Sequence, residues 1–241
     1  LGDLVKGDLL VSGCLIEKIA KSVRSPNARV IDARGKIIMP GFVNAHIHTW
    51  QTGIRGIAGN WAIPEYLHHM HAQIAPRFTP NDTYLGNLIG SLNQINLGTT
   101  TVFDWCHNNA TPGHTDAAIE GIKEAGIRAI FGHGSPKPDA KDGDIPYTHI
   151  PHPKKELQRL RRGSLGDQDG LITLAMAALG VDFSIWEVTE HDFRLAKELD
   201  LLISTHVWGA PNRLNPDGYK KLSKLGLLNN RHNLVHGNYL K

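Results

Sequence analysis

Two histidines one residue apart, His46-Ile47-His48, close a largely apolar run that begins at Lys36. Alternate residues of a β-strand point to the same side, so two imidazoles at this spacing can reach one cation. The bland alternative is a single solvated strand face. Two later histidines weigh against it. His206 follows Leu201-Leu202-Ile203-Ser204-Thr205, and His236 follows Asn233-Leu234-Val235. Histidine is the commonest metal ligand, and three protein ligands with one open position describe a catalytic rather than a structural zinc site. The sequence holds 14 His, as many as its 3 Met, 5 Trp and 6 Phe combined. Most of these are expected to be ordinary surface residues.

The chain must bring those distant residues together. Residues 1–36 read as short strands joined by turns, over 7–11, 15–19 and Val30-Ile31-Asp32, a small β module. A buried strand is expected from Lys36 to Asn44, broken at Pro40-Gly41. Thr79 is a candidate N-cap, with Pro80 at the first helical position, Asp82 in the first turn and Gly98 as the stop. Leu85, Leu88, Ile89, Leu92 and Ile95 give that helix its apolar face. Further strands are expected over 99–103, 128–131, 171–176, 201–205 and 233–235. Helices fall between them, one of them opened by Thr189 and Asp192, and a long polar loop runs from Ser135 to Pro153.

Strands and helices alternating at roughly 30-residue spacing argue for parallel βα units. Six such strands suit a doubly wound sheet, or a (β/α)8 barrel that still lacks two. The position of the chemistry separates the two. His46-x-His48, Asp104-Trp105-Cys106-His107, His133, His206 and His236 all lie at carboxyl ends of expected strands. In a barrel those ends share one mouth, whereas in an open sheet they spread along an edge.

Composition excludes several function classes. With 26 Lys plus Arg against 23 Asp plus Glu, the net charge is +3, too small and too mixed for a nucleic-acid surface. The 41% hydrophobic content suffices for a buried core. No apolar run approaches the ~20 residues of a membrane span, and no signal-peptide pattern is visible at the start. Cys14 and Cys106 form no disulfide framework, so a reducing cytoplasm is the default. No nucleotide-binding glycine motif occurs, so a nucleotide cofactor is unsupported, and a homodimer is the commonest symmetric assembly.

Pro40-Gly41-Phe42-Val43-Asn44-Ala45-His46-Ile47-His48 resembles the signature that opens the barrel of the amidohydrolase superfamily. Ser204-Thr205-His206 and Leu234-Val235-His236-Gly237-Asn238 resemble its strand-five and strand-six histidines. The likeness is closest to the branch of cytosine and guanine deaminases, methylthioadenosine deaminases and chlorohydrolases, which Thr49-Trp50-Gln51 and Ile54-Arg55-Gly56 also fit. The resemblance implies an α/β fold: residues 1–36 as part of a β-sandwich, and 37–241 as an incomplete (β/α)8 barrel of TIM type. It implies a divalent metal, zinc or iron, on His46, His48 and His206, with His236 as the catalytic histidine that contacts water or substrate. Gln51 and Trp50 would bind substrate. The implied reaction is metal-assisted hydrolysis of a C–N bond, deamination of a small nitrogen heterocycle. Hydrolytic dechlorination, amide hydrolysis and a catalytically degenerate binding scaffold are the alternatives.

Two departures from that family pattern stand out. The strand-eight aspartate is absent along with strands seven and eight, and an open barrel leaves exposed sheet edges, so the chain is expected to belong to a longer polypeptide. Gly209 stands where many relatives carry a proton-shuttling glutamate, three residues after His206. Weaker features are Arg55, which could pair with an anionic substrate group or, the favoured reading, with a structural carboxylate, and Asp104 and Glu187, read as caps or salt-bridge residues. His68 and His71, one helical turn apart, read as a solvated face. Trp50, Trp61 and Trp105 divide evenly between pocket wall and core.

Overall fold

The computed structural model describes residues 6–208 and 213–238. These residues fall into two compact units that part between Pro40 and Gly41. In the first, β1 (Asp8–Ser12) and β2 (Leu15–Ala20) pair antiparallel, with a bulge between Leu10 and Val11. Gly13 makes the tight turn at a φ of +58°, where a side chain would be strained. The strand expected at Val30-Ile31-Asp32 does not form; that segment is irregular and exposed, with Val30 and Ile31 lacking the partner strand an edge needs. Among its described residues the first unit thus shows one hairpin.

The second unit is a parallel sheet with β3 (Phe42–Ile47), β4 (Thr99–Cys106), β5 (Arg128–His133), β6 (Ile172–Ala178), β7 (Leu202–Val207) and β8 (His232–His236) in that spatial order. Helices α1 (Ile63–Tyr66), α2 (Pro80–Asn96), α3 (Pro112–Ala125), α4 (Lys154–Arg162), α5 (Gly180–Phe183), α6 (Trp186–Glu198) and α7 (Gly218–Lys224) lie between the strands in sequence. Each strand neighbours the next, so there is no switch point at which the order reverses. This is the winding of a partial (β/α)8 barrel and not of a doubly wound sheet. The sheet curls until β8 faces β3: the Asn233 amide donates to the carbonyl of Ala45 at 3.4 Å.

The strand period decides what faces inward. On β4, Phe103 and Trp105 join Ala175, Ala177 and Val235 inside the curl. Val102 and Cys106 point the other way, into the layer between sheet and helices, with Ile122, Phe131, Leu157, Leu160, Met176 and Ile203. No helix among the described residues is long and apolar enough to cross a membrane.

Local chemistry explains where elements begin. β3 starts at Phe42, later than expected, because Pro40 has no N–H for a ladder and Gly41 abuts Thr100, where a Cβ would meet its methyl. α2 opens as expected: Asp82 N–H donates to Thr79 Oγ1 and Thr79 N–H donates to Asp82, a reciprocal cap behind Pro80. α6 opens three residues before Thr189, and both Thr189 and Asp192 are buried inside it as hydrogen-bond partners rather than caps. Residues Leu67–Ile74 form a π-helix. Its wider i→i+5 turn takes His68 and His71 off a common face. His68 stays exposed on Asp139, whereas His71 is buried under Trp50 and Tyr66.

Two glycines set how closely α2 can be approached. A Cβ on Gly86 would lie 2.5 Å from the Trp50 carbonyl oxygen, and one on Gly121 would lie 2.5 Å from that of Tyr84. The first contact docks the 3-10 segment Thr49–Ile54 onto α2. Gly86→Ala is therefore expected to lower stability by about 1–3 kcal/mol in urea unfolding. Gly53→Ala, with open space around its Cβ, is expected to stay within about 0.5 kcal/mol of the parent.

Candidate metal centre

The curl brings four histidines from three strand ends to one mouth. His46 lies on β3 one residue before its end, His48 directly follows the strand, His206 lies on β7 and His236 ends β8. The Nε2 atoms of His46 and His206 are 3.2 Å apart. Ring centroids separate His46 from His48 by 4.6 Å, His48 from His206 by 5.3 Å and His46 from His236 by 5.5 Å. Two triads have ligand nitrogens within 4.8 Å of one another: His46, His206 and His236, and His48, His107 and His206.

The buried imidazoles His46, His48, His107 and His206 are held neutral. Burial, then the nearby cations, pushes His46 down to about 4 and His48 down to about 3. The same causes hold His206 and His107 well below the usual histidine range. A neutral ring keeps a lone pair for a metal. His48 Nδ1 lies 2.7 Å from the Trp105 carbonyl oxygen. That oxygen only accepts, so Nδ1 carries the proton and Nε2 keeps the lone pair, the usual orientation of a metal-binding histidine. His46 Nδ1 is buried without a partner. An all-imidazole donor set suits zinc, iron, copper or nickel rather than magnesium or calcium, which take oxygen ligands.

His236 differs from the others. It is exposed and has a φ of 72°, a left-handed conformation that is rare for a side-chain-bearing residue. Gly237 beside it, also at positive φ, donates its N–H to the Val207 carbonyl at 2.8 Å and holds the bend. Strain of this kind concentrates at functional sites.

The surroundings fix the cluster. Asp104, expected to cap or to form a salt bridge, is fully buried and accepts the Thr49 N–H at 2.9 Å, pinning the segment that follows His48. Burial raises its carboxyl to about 6. Trp50, expected at the substrate, is 0% exposed. Its ring packs on Phe78 and His71, and its N–H points at His107 Nδ1 at 3.5 Å. It supports the site from below and cannot touch a substrate without moving. Trp105 is equally buried, 4.5 Å from the His206 ring, and Trp61 is partly buried against the core. Gln51 donates to the Tyr66 hydroxyl at 2.6 Å, and both line a cavity of about 220 Å³ with His48, Arg55 and Met70. Arg55 forms no ion pair among the described residues. Gly209 lies outside the described residues.

Two residues near the cluster had no role in the sequence reading. His107 follows β4 and stacks parallel to His206 at 5.9 Å; its place at a strand end was the available signal. Lys137 sits in the loop after β5, is 8% exposed, and is drawn down to about 8 by burial. Nothing in its sequence neighbourhood marks it.

Residues 37–226 match the model of the amidohydrolase family. A 5-methylthioadenosine/S-adenosylhomocysteine deaminase of Thermococcus sibiricus is 31% identical over 131 residues, 54% of this chain and 30% of that protein. A deaminase of the same name from Carboxydothermus hydrogenoformans is 27% identical over 206 residues, 84% of this chain and 45% of the other. The chain thus spans less than half the length of either relative. Among solved structures, a triazine hydrolase from Arthobacter aurescens superposes with a TM-score of 0.78 at 22% identity, covering 95% of this chain and 55% of that one. An adenosine deaminase from Xanthomonas campestris with bound zinc does so with a TM-score of 0.60 at 22% identity, over 84% and 45%. At these identities the structural likeness establishes the fold.

A second pair of histidines, outside the cluster of His46, His48, His206 and His236, makes a pH dependence. His133 Nδ1 and His152 Nε2 are 3.0 Å apart, and both rings are buried. Burial holds His133 down to about 4 and His152 well below the usual range. In the unfolded chain both titrate near 6.5. Between about 6.5 and 4 the unfolded state therefore binds protons that the folded state does not, and stability falls as pH falls through that window. Urea midpoints measured across it should drop, and His133→Asn should flatten the slope.

Proposed function

Because this chain belongs to the amidohydrolase family, we propose that it serves a metal-dependent hydrolase that deaminates a small nitrogen heterocycle. The observation that carries the reading is the convergence of His46 and His206 nitrogens, neutral and facing, from strands 160 residues apart. In this reading His46, His48 and His206 hold one divalent metal, zinc first and iron second. The metal supplies Lewis acidity and makes water acidic toward neutrality.

The rest falls to the chain's own side chains. His48 is aimed by the Trp105 carbonyl. The Asp104 bond to Thr49 fixes the backbone that presents Gln51, whose amide and the Tyr66 hydroxyl offer hydrogen bonds to the edge of a ring in the cavity. His236, exposed at the mouth, reaches substrate and holds a proton against the charge that develops on the attacked carbon's substituents. Trp50 acts through His107 and His71 as a positioning residue. The free thiols of Cys14 and Cys106 support placement in the reducing cytoplasm.

Dechlorination is the second reading, and Gly209 favours it. An amine must be protonated to leave and glycine has no proton to give, whereas chloride leaves as it is.

The first measurement is the metal-to-protein ratio by inductively coupled plasma mass spectrometry on untagged protein, with about one zinc or iron per chain expected. His46→Ala and His206→Ala should each lose the metal and the turnover together. His236→Asn should keep the metal and lose on the order of 100-fold or more in kcat. Ammonia and chloride release from amino- and chloro-substituted heterocycles separates the two reactions. Full turnover by a metal-free His46→Ala protein would end the proposal.

A further inference from the structure

The long loop after β5 is closed at its base by two histidines. His133 is the last residue of β5, and His152 stands two residues before α4. The loop between them leaves the sheet at the end where the histidine cluster lies. His133 Nδ1 and His152 Nε2 are 3.0 Å apart, and both rings are buried. At that distance one nitrogen donates and the other accepts, so the two rings share a single proton. The backbone N–H of His152 donates to Asp192 on α6 at 2.9 Å and fixes the second foot. Between the feet the chain is lightly held, and residues 138–146 are all exposed. Along its length it is tied to the body by Lys137 over the Trp105 ring, by Asp139 on His68, and by the Thr148 carbonyl, which accepts from Ile185 N–H. Few buried contacts and an exposed backbone mark a segment of low local stability.

Protons work against the closed base. On α4, Glu156 and Arg159 face His133, and Arg159 pairs with Glu156 and with Asp116 of α3. On α6, His191 and Asp192 face His152 and bond to each other at 3.0 Å. The neighbour from β4 is the Cys106 thiol, and that from β6 is Met176, which does not titrate. The carboxylates of this wall are thus committed to Arg159 and His191. Burial prevails, holding His133 down to about 4 and His152 well below the usual range. With both rings protonated, two N–H groups and two charges would face each other with no acceptor between them. In water each ring titrates near 6.5. An open loop therefore takes up protons that the closed loop excludes, and opening is favoured as pH falls. Each freed imidazole raises the opening constant about 10-fold at pH 5.5, roughly 100-fold for the two. Asp192, raised to about 6 by burial, gains a proton in the closed state and offsets part of that rise.

We infer that the His133–His152 pair is a pH-operated clasp on the 134–151 loop: it holds the loop down at neutral pH, and in mild acid the loop lifts from the mouth while the barrel stays folded. The part that moves carries Lys137 over Trp105, whose ring lies 4.5 Å from that of His206. Access to the histidine cluster is thereby coupled to pH. The inference rests on the geometry of the loop and stands whether or not the chain is a hydrolase.

Hydrogen exchange read by mass spectrometry on the full chain tests this between pH 7.5 and 5.5, with and without zinc. Protection factors remove the intrinsic pH dependence of exchange. The reporting amides are those of His152 and Ile185, bonded to Asp192 and Thr148, and the amides within α2 are the control. The reporters should lose roughly 30- to 100-fold in protection, reversibly, while α2 stays within about threefold. His133→Asn with His152→Gln places uncharged amides near the two bonded nitrogens and should hold the reporters within about threefold over the same range. Should the double variant melt early, His152→Gln alone should cut the response about 10-fold. Equal loss in the reporters and α2 is global acid unfolding and overturns the inference. Unchanged reporters, or a double variant that responds like the parent, overturn it too. A response that depends on zinc would place the titration at the metal ligands and do the same.

Discussion

Two neutral imidazoles hold their Nε2 atoms 3.2 Å apart only with a proton or a cation between the lone pairs, and the structure is arranged around that constraint. His46 and His206 come from β3 and β7, which are not neighbours in the sheet. They meet because the sheet curls, and it curls because each strand pairs with the next without reversal. Burial among Trp105, His48 and His107 then keeps both rings neutral. In water the same pair would take up protons and repel below about pH 6.5. The desolvation that costs the folded state acid stability is the same desolvation that readies the rings for a metal.

Holding a loop histidine in register takes more than the strand. His48 lies just beyond β3, where the ladder no longer fixes it. Three contacts replace the ladder: the Trp105 carbonyl on Nδ1, the Asp104 carboxylate on the Thr49 N–H, and the bare α-carbon of Gly86 against the Trp50 carbonyl. The first two come from adjacent residues of β4. Successive residues of a strand point to opposite faces, so Asp104 reaches the outer layer while the Trp105 ring packs inside the curl. One short stretch of strand thus fixes both the ring and the backbone that follows it.

What could be read from the sequence follows the same division. His46, His48, His206 and His236 were legible because strand periodicity fixes their side and parallel winding fixes their end of the sheet. The six strands and the Thr79 cap were legible for similar local reasons. Trp50 was not: its neighbours in sequence are site residues, yet its burial depends on Phe78 and His71, which only the fold brings near. The pairing of His68 with His71 failed because a π-helix keeps the residues and changes the turn. The first strand was placed too early because Lys36-Ile37-Ile38-Met39 is apolar, but Pro40 postpones pairing to Phe42. His107 was named at a strand end but given no part in the site, and Lys137 was not named at all, for opposite reasons. The first sat at a strand end with no second histidine to mark it, and the second lies in a loop whose path is set by the aromatic rings beneath it.

The distribution of charge bears on the chemistry as directly as the ligands do. A metal centre built from carboxylates partly neutralises its ion, whereas one built from imidazoles passes the full charge to whatever enters. Among the described residues Asp104, on β4, is buried and accepts a backbone N–H from Thr49. With glycine at position 209, no side chain there can hand a proton to a leaving group. His236 combines exposure with a backbone bend that turns its ring toward His46 and His206, 5.5 and 5.4 Å away. Among the described residues of the cluster His236 is the exposed imidazole, and the left-handed turn at His236 and Gly237 is the local distortion that puts it there.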